Sequence, residues 1–164
     1  MAGKRVLAFD FGASSGRAIL ASYEDGKISM QEIHRFSNDP VTVCGVFHWD
    51  VLRLFFEIKQ GITKAVHQGG FDAIGIDTWG VDFGLLDKKG RLLNNPVHYR
   101  DERTVGMIEK VFETIPAQEL YGRTGIQFAR LNTLFQLAAL RQDEPETLAQ
   151  AETLLLMPDL FAYL

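Results

Sequence analysis

The stretch that most constrains the fold is residues 5–36, where short apolar runs are separated by two turns. Arg5 to Asp10 is apolar up to a terminal carboxylate, and Arg17 to Tyr23 is apolar again, which reads as two strands around a tight Gly/Ser turn at Phe11 to Gly16. Glu24-Asp25-Gly26-Lys27 carries the Asp-Gly signal of a second hairpin, and Ile28 to Phe36 alternates in period two. Chains that open this way lay down a three-stranded antiparallel meander before any helix.

Beyond it, a loop containing Pro40 and Gly45 leads to Val51, Leu54, Phe55, Ile58, Ile62 and Val66 at helical spacing. Asp50 stands as N-cap and Gly69-Gly70 as terminator. Ala73 to Ile76 and Val81 to Leu86 read as strands, the latter closed by a turn at Asp87 to Gly90. Arg103 to Ile115 and Asn132 to Leu140 read as helices, Gln142 to Glu146 as a solvated loop or helix end, and Leu154 to Met157 as a last strand. This order predicts an α/β domain with a mixed sheet flanked by helices, such as the ribonuclease H-like fold.

Composition excludes several classes. The chain has 164 residues, 46% hydrophobic and 23% charged, enough for one cored domain. A net charge of -4 supplies no basic field for nucleic acid. No apolar run approaches the ~20 residues of a membrane span. No signal-peptide core follows Met1 to Arg5, because Asp10 interrupts the apolar run at once. A cytoplasmic, reduced setting follows as the expectation, with Cys44, the single cysteine, a buried or half-buried thiol. His34, His48, His67 and His98 lack zinc-ligand spacing and read as structural. At the end, Pro158 and Asp159 open a helix that stops at Leu164 without a cap or polar tail. The expectation is a chain cut inside a larger protein, with residues 1–164 as an N-terminal domain and a second domain missing.

Two motifs carry chemistry. In Asp10-Phe-Gly12-Ala13-Ser14-Ser15-Gly16-Arg17, a carboxylate at a strand end can hold Mg²⁺ through water, the glycines let N–H groups converge on an anion, and the hydroxyls and Arg17 can donate to phosphate. The same residues also suit a hairpin turn with a capping aspartate, for conformational reasons alone. In Gly75-Ile-Asp77-Thr78-Trp79-Gly80-Val81-Asp82-Phe83, an aromatic face, a glycine that admits close approach and two carboxylates suit a sugar. A core tryptophan beside a bulge glycine is the alternative.

The first motif, Asp-x-Gly-x-Ser-Ser-x-Arg after an N-terminal strand, resembles the phosphate hairpin of the actin-like ATPase superfamily, which includes the FGGY carbohydrate kinases. The second motif resembles that family too, together with Glu32 to Phe36, His48 to Asp50, Tyr99 to Thr104, Tyr121 to Phe128, Asn132 to Leu137 and Leu155 to Asp159. These matches are collinear along nearly the whole chain. The resemblance implies ATP with Mg²⁺ and transfer of the γ-phosphate to the 1-hydroxyl of L-rhamnulose, with another ketose such as L-fuculose or L-xylulose, or a non-catalytic module, as alternatives. It further implies that Ala13, Ser14, Ser15, Gly16 and Arg17 contact ATP, that Asp10 lies near the metal, and that Gly80, Asp82, Arg100 and Gln127 face the sugar. For Arg100 a surface ion pair with Asp101 or Glu102 is the competing role. The catalytic base is expected in the missing half, which leaves this chain alone inactive.

Overall fold

The computed structural model describes residues 3–164. In chain order its elements are β1 (Lys4–Phe11), β2 (Ser15–Glu24), β3 (Lys27–Ser37), β4 (Val41–Val43), β5 (Val46–His48), α1 (Val51–His67), β6 (Ala73–Asp77), β7 (Phe83–Leu86), a 3₁₀ turn at Glu102–Thr104, α2 (Met107–Phe112), α3 (Ala117–Thr124), α4 (Thr133–Asp143), α5 (Pro145–Gln150), β8 (Thr153–Leu156) and α6 (Met157–Tyr163). They divide into two compact units. The first holds the described residues through Val41 with Trp49–Gly80 and Met157–Leu164; the second holds Thr42–His48 and Val81–Leu156.

The first unit is built on a four-stranded sheet in the order β3-β2-β1-β6. The expected meander is present, and β6 adds parallel to β1, so the sheet is mixed. Alternation along β1 decides which face is covered: Leu7, Phe9 and Phe11 are buried, while Val6 is exposed. Helix α1 begins where Asp50 Oδ1 accepts from the Arg53 N–H at 3.1 Å. It buries Val51, Leu54, Ile58, Gly61 and Ala65. Gly61 is dictated by fit, because a Cβ there would lie 2.6 Å from the Phe9 ring. Phe11 stacks on Phe161 of α6, centroids 4.9 Å apart.

The second unit pairs β7 with β8 antiparallel, with Phe83, Leu85 and Leu140 as their core. A further core gathers Met107, Leu120, Phe135 and Ala139 from α2, α3 and α4. Here several expectations need correction. The helix expected over 103–115 is broken, because Gly106 takes a left-handed φ of 76° between the 3₁₀ turn and α2. The polar run from Gln142 to Glu146, expected as a solvated loop or helix end, does hold the end of α4 at Asp143, but Pro145 then starts a further helix, α5. The loop before α1 contains the small ribbon β4-β5, turned by Cys44 at φ 51° and Gly45 at φ 84°. Cys44 is exposed there, not buried, because a hairpin tip has no core to enter. α3 was not foreseen at all.

Candidate functional site

The Gly/Ser turn between β1 and β2 is pinned from the residue that follows β3. Asn38, 2% exposed, donates Nδ2–H to the Gly12 carbonyl at 2.8 Å, and its backbone N–H donates to the Ser14 carbonyl at 3.0 Å. Gly12 N–H closes the turn on the Ser15 carbonyl at 2.9 Å. Both inward carbonyls are thereby satisfied, while Gly12, Ala13 and Ser14 stay exposed. No described residue accepts from the Ala13 or Ser14 N–H groups, which leaves two backbone donors for an anion. Gly16 is required next to it, since a Cβ would lie 2.3 Å from the Phe36 ring.

Strand register sets out the charges. Asp77, Asp10, Arg17 and Arg35 are successive register partners across β6, β1, β2 and β3. Partners at one register share a face, so two carboxylates and two guanidiniums form a single row on the face opposite Phe9 and Phe11. Arg17 donates Nε–H and Nη2–H to Asp10 Oδ2 at 2.8 and 2.6 Å. Arg35 grips Glu32 instead, and that bond, then the Arg35 and Arg17 charges, hold the Glu32 carboxyl below its ordinary range. No described residue pairs with the Asp77 carboxylate. Sequence reasoning had the Asp10 turn but not Asn38, Arg35 or the pairing of Asp10 with Asp77. A parity count along β1 and β6 would have placed both carboxylates on one face, but not their register.

In the same unit, Trp79 stacks on the fully buried Trp49, centroids 3.9 Å apart at 27°. One indole therefore holds the other in place before Gly80. Gly80 has φ 76°, and nothing stands within 4 Å of where its Cβ would be, so the space beside it is open.

The second unit holds the remaining candidates. Asp82 is fully buried; its Oδ1 accepts from Gln136 Nε2 at 2.8 Å and its Oδ2 from the Tyr99 N–H at 3.2 Å. Gln136 also donates to the Leu131 carbonyl at 2.8 Å and accepts from Arg103 Nη2 at 3.0 Å. Burial pulls the Arg103 pKa down, with the Asp101 and Asp82 charges opposing it. Arg100 is exposed with its guanidinium 5.3 Å from the Tyr99 ring centroid, and among the described residues it forms no ion pair. The competing ion pair with Asp101 or Glu102 does not form; Asp101 accepts instead from the Phe47 and Arg103 N–H groups at 2.8 and 2.9 Å. Gln127 is exposed, and its carbonyl accepts from Asn132 Nδ2 at 2.9 Å. No group of three or more His, Cys, Asp or Glu that could hold a metal occurs among the described residues. Likewise, no described helix is long and apolar enough to cross a membrane.

The chain belongs to the FGGY family of carbohydrate kinases: its residues 5–164 match that family's N-terminal domain. Among curated proteins it is 47% identical over 163 residues to the rhamnulokinase of Klebsiella pneumoniae (strain 342), covering 98% of this chain and 33% of that protein. It is 46% identical over 159 residues to the rhamnulokinase of Bacteroides thetaiotaomicron, covering 96% and 33%. The chain thus spans about a third of the length of these relatives. Solved structures share the fold. The gluconate kinase of Lactobacillus acidophilus superposes with a TM-score of 0.79 at 18% identity, covering 94% of this chain and 31% of that one. The xylulose kinase of Rhodospirillum rubrum gives 0.77 at 17%, covering 97% and 34%. The α/β architecture with its mixed sheet is accordingly the fold of these kinases.

Proposed function

We propose that this chain is the N-terminal part of an ATP-dependent kinase that phosphorylates the 1-hydroxyl of L-rhamnulose in the cytoplasm, and that a further domain completes its active site. The observation that carries the kinase reading is the Asn38-pinned turn, with its two available N–H groups and the Asp10–Arg17 pair at its base. The choice of ketose rests on the names of relatives 46–47% identical.

In this reading the Ala13 and Ser14 N–H groups, the Ser14 and Ser15 hydroxyls and Arg17 receive ATP phosphate oxygens, with Gly16 letting β2 leave the turn closely packed. The Asp10–Arg17 pair is 42–45% exposed, and exposed pairs are worth only ~0–1 kcal/mol, so Arg17 can turn to phosphate at little cost. Mg²⁺ fits this donor set: that ion is held by one or two carboxylates, with waters and substrate phosphates completing its shell, and Asp10 with Asp77 supplies two. When bound it would neutralise charge on the phosphates. On the sugar side, Trp79 offers its face and Gly80 its open backbone. Arg100 and Gln127 are exposed and can meet hydroxyls, whereas the buried Asp82 positions the Tyr99 backbone and Gln136. The base for the attacking hydroxyl is expected outside this chain, so the chain alone should not turn over.

The test is a pair of substitutions at Gly80 in the protein that carries this chain. Because the Cβ space is empty, Gly80→Ala and Gly80→Val should raise the ketose KM by roughly tenfold or more, through blocked approach and a strained φ, and leave the ATP KM nearly unchanged. Equal effects on both substrates would refute the assignment.

A further inference from the structure

The second unit contains a cleft of about 670 Å³ that none of these residues lines. Its floor is one face of α4, with Leu137 and Ala138; one wall is α2 and the turn after it, with Val111 and Ile115; the other wall is Leu148 of α5. These side chains belong to the margins of the two cores and are only partly buried. The volume lies within the ~300–1,000 Å³ typical of small-molecule sites.

Two cations stand on this cleft, Lys110 from α2 and Arg141 from α4. Lys110 Nζ donates to the Gln142 Oε1, which draws the α2 ammonium to the residue next to Arg141. Among the described residues, neither cation has a carboxylate partner. The neighbouring carboxylate, Asp143, is taken by the Gln142 amide at 2.8 Å and does not line the cleft. Each cation lies in the last turn of its helix, where the macrodipole favours positive charge. The dipole explains why each is tolerated there, but not why both converge on one apolar cleft. Apolar walls bind an apolar body, and two unpaired cations at one rim bind an anionic head.

We infer that the cleft between α2, α4 and α5 is a binding site for a small amphiphilic anion, an aliphatic or aromatic body bearing one carboxylate or phosphate. This lies beyond the kinase reading and does not depend on it. An amphipathic helix of a partner is the less fitting occupant, because the volume is that of a small-molecule site.

Calorimetry on the chain with decanoate, decyl phosphate, 1-decanol and inorganic phosphate tests it. Both decyl anions should bind saturably at one site, at least tenfold more tightly than 1-decanol, and inorganic phosphate should not bind measurably. Lys110→Gln with Arg141→Gln, both at exposed positions, should leave the circular dichroism spectrum unchanged, weaken the anions at least tenfold and leave 1-decanol unchanged. Ala138→Phe, which fills the floor, should abolish both; if that variant melts early, Leu148→Ala should still weaken binding several-fold. Equal binding of 1-decanol and decanoate, unsaturable binding, or an unchanged affinity in the double variant would overturn the proposal, as would binding of an acidic amphipathic peptide at this cleft with no decyl anion binding.

Discussion

Asn38 holds Gly12: the buried carboxamide at the end of β3 donates to the Gly12 carbonyl at 2.8 Å, across 26 residues of chain. A hydrogen bond of this kind fixes a turn that glycine and serine would otherwise leave loose. Asn38→Ala leaves that carbonyl without its donor, at a cost of about 1–3 kcal/mol. The expected result is a lowered urea midpoint together with a raised ATP KM, while the ketose KM stays near the parent value. A stability loss with no change in ATP KM would mean that the turn does not serve the nucleotide.

Asp77 is the register partner of Asp10 on the adjacent parallel strand. Like charges directly opposite one another destabilise a sheet by roughly 0.2–1 kcal/mol, less where solvent screens them. Asp77→Asn should therefore leave the metal-free chain as stable as the parent or slightly more so. If the pair serves Mg²⁺, the same variant should lose most of the gain in ATP affinity that Mg²⁺ gives the parent. Calorimetry of ATP with Mg²⁺ and with chelator reads both effects. An undiminished Mg²⁺ gain would remove Asp77 from the metal site.

His98 sets a pH limit on the second unit. It is 2% exposed, and its Nδ1 accepts from the Arg100 N–H at 3.0 Å, so the imidazole is neutral in the fold. Burial first, then the Arg100 charge, push its pKa from 6.5 to about 4, with Asp101 opposing. The unfolded chain binds this proton more readily than the folded one. The stability it confers is therefore complete above pH 6.5 and is lost as the pH falls toward about 4. The loss approaches ~1.4 kcal/mol per pH unit inside that window. Comparing urea midpoints at about pH 7.5 and about pH 5.5, His98→Gln should show a shallower fall than the parent. Parallel falls would show that His98 does not titrate this way.

The parts of this fold legible in sequence were those written locally. Asp25-Gly26 and the Asp10 turn announced the meander, and Asp50 announced α1, because turn and cap chemistry act over a few residues. Gly106 broke a helix whose apolar spacing looked continuous, since a left-handed φ is invisible to periodicity. α3 was hidden by its length of only eight residues and its mostly polar composition, with Leu120 its one buried residue. At the site, the turn and Gly80 could be read directly, but Asn38, Gln136 and the Asp77–Asp10 alignment depend on contacts 26 to 67 residues apart, which one sequence does not display. Asp82 shows the converse. A carboxylate that suits a sugar hydroxyl on paper is fully buried here and engaged by Gln136 and the Tyr99 backbone.

The central claim is most directly tested by ADP release from the protein that carries this chain, assayed with ATP, Mg²⁺ and a panel of L-rhamnulose, L-fuculose, L-xylulose and gluconate. The account predicts turnover with L-rhamnulose at a kcat/KM at least about tenfold above any other member, a margin of ~1.4 kcal/mol in transition-state binding. It also predicts no turnover by the 164-residue chain alone. Preference for another sugar would contradict the choice of ketose, and absence of ADP release with every sugar would contradict the kinase reading itself.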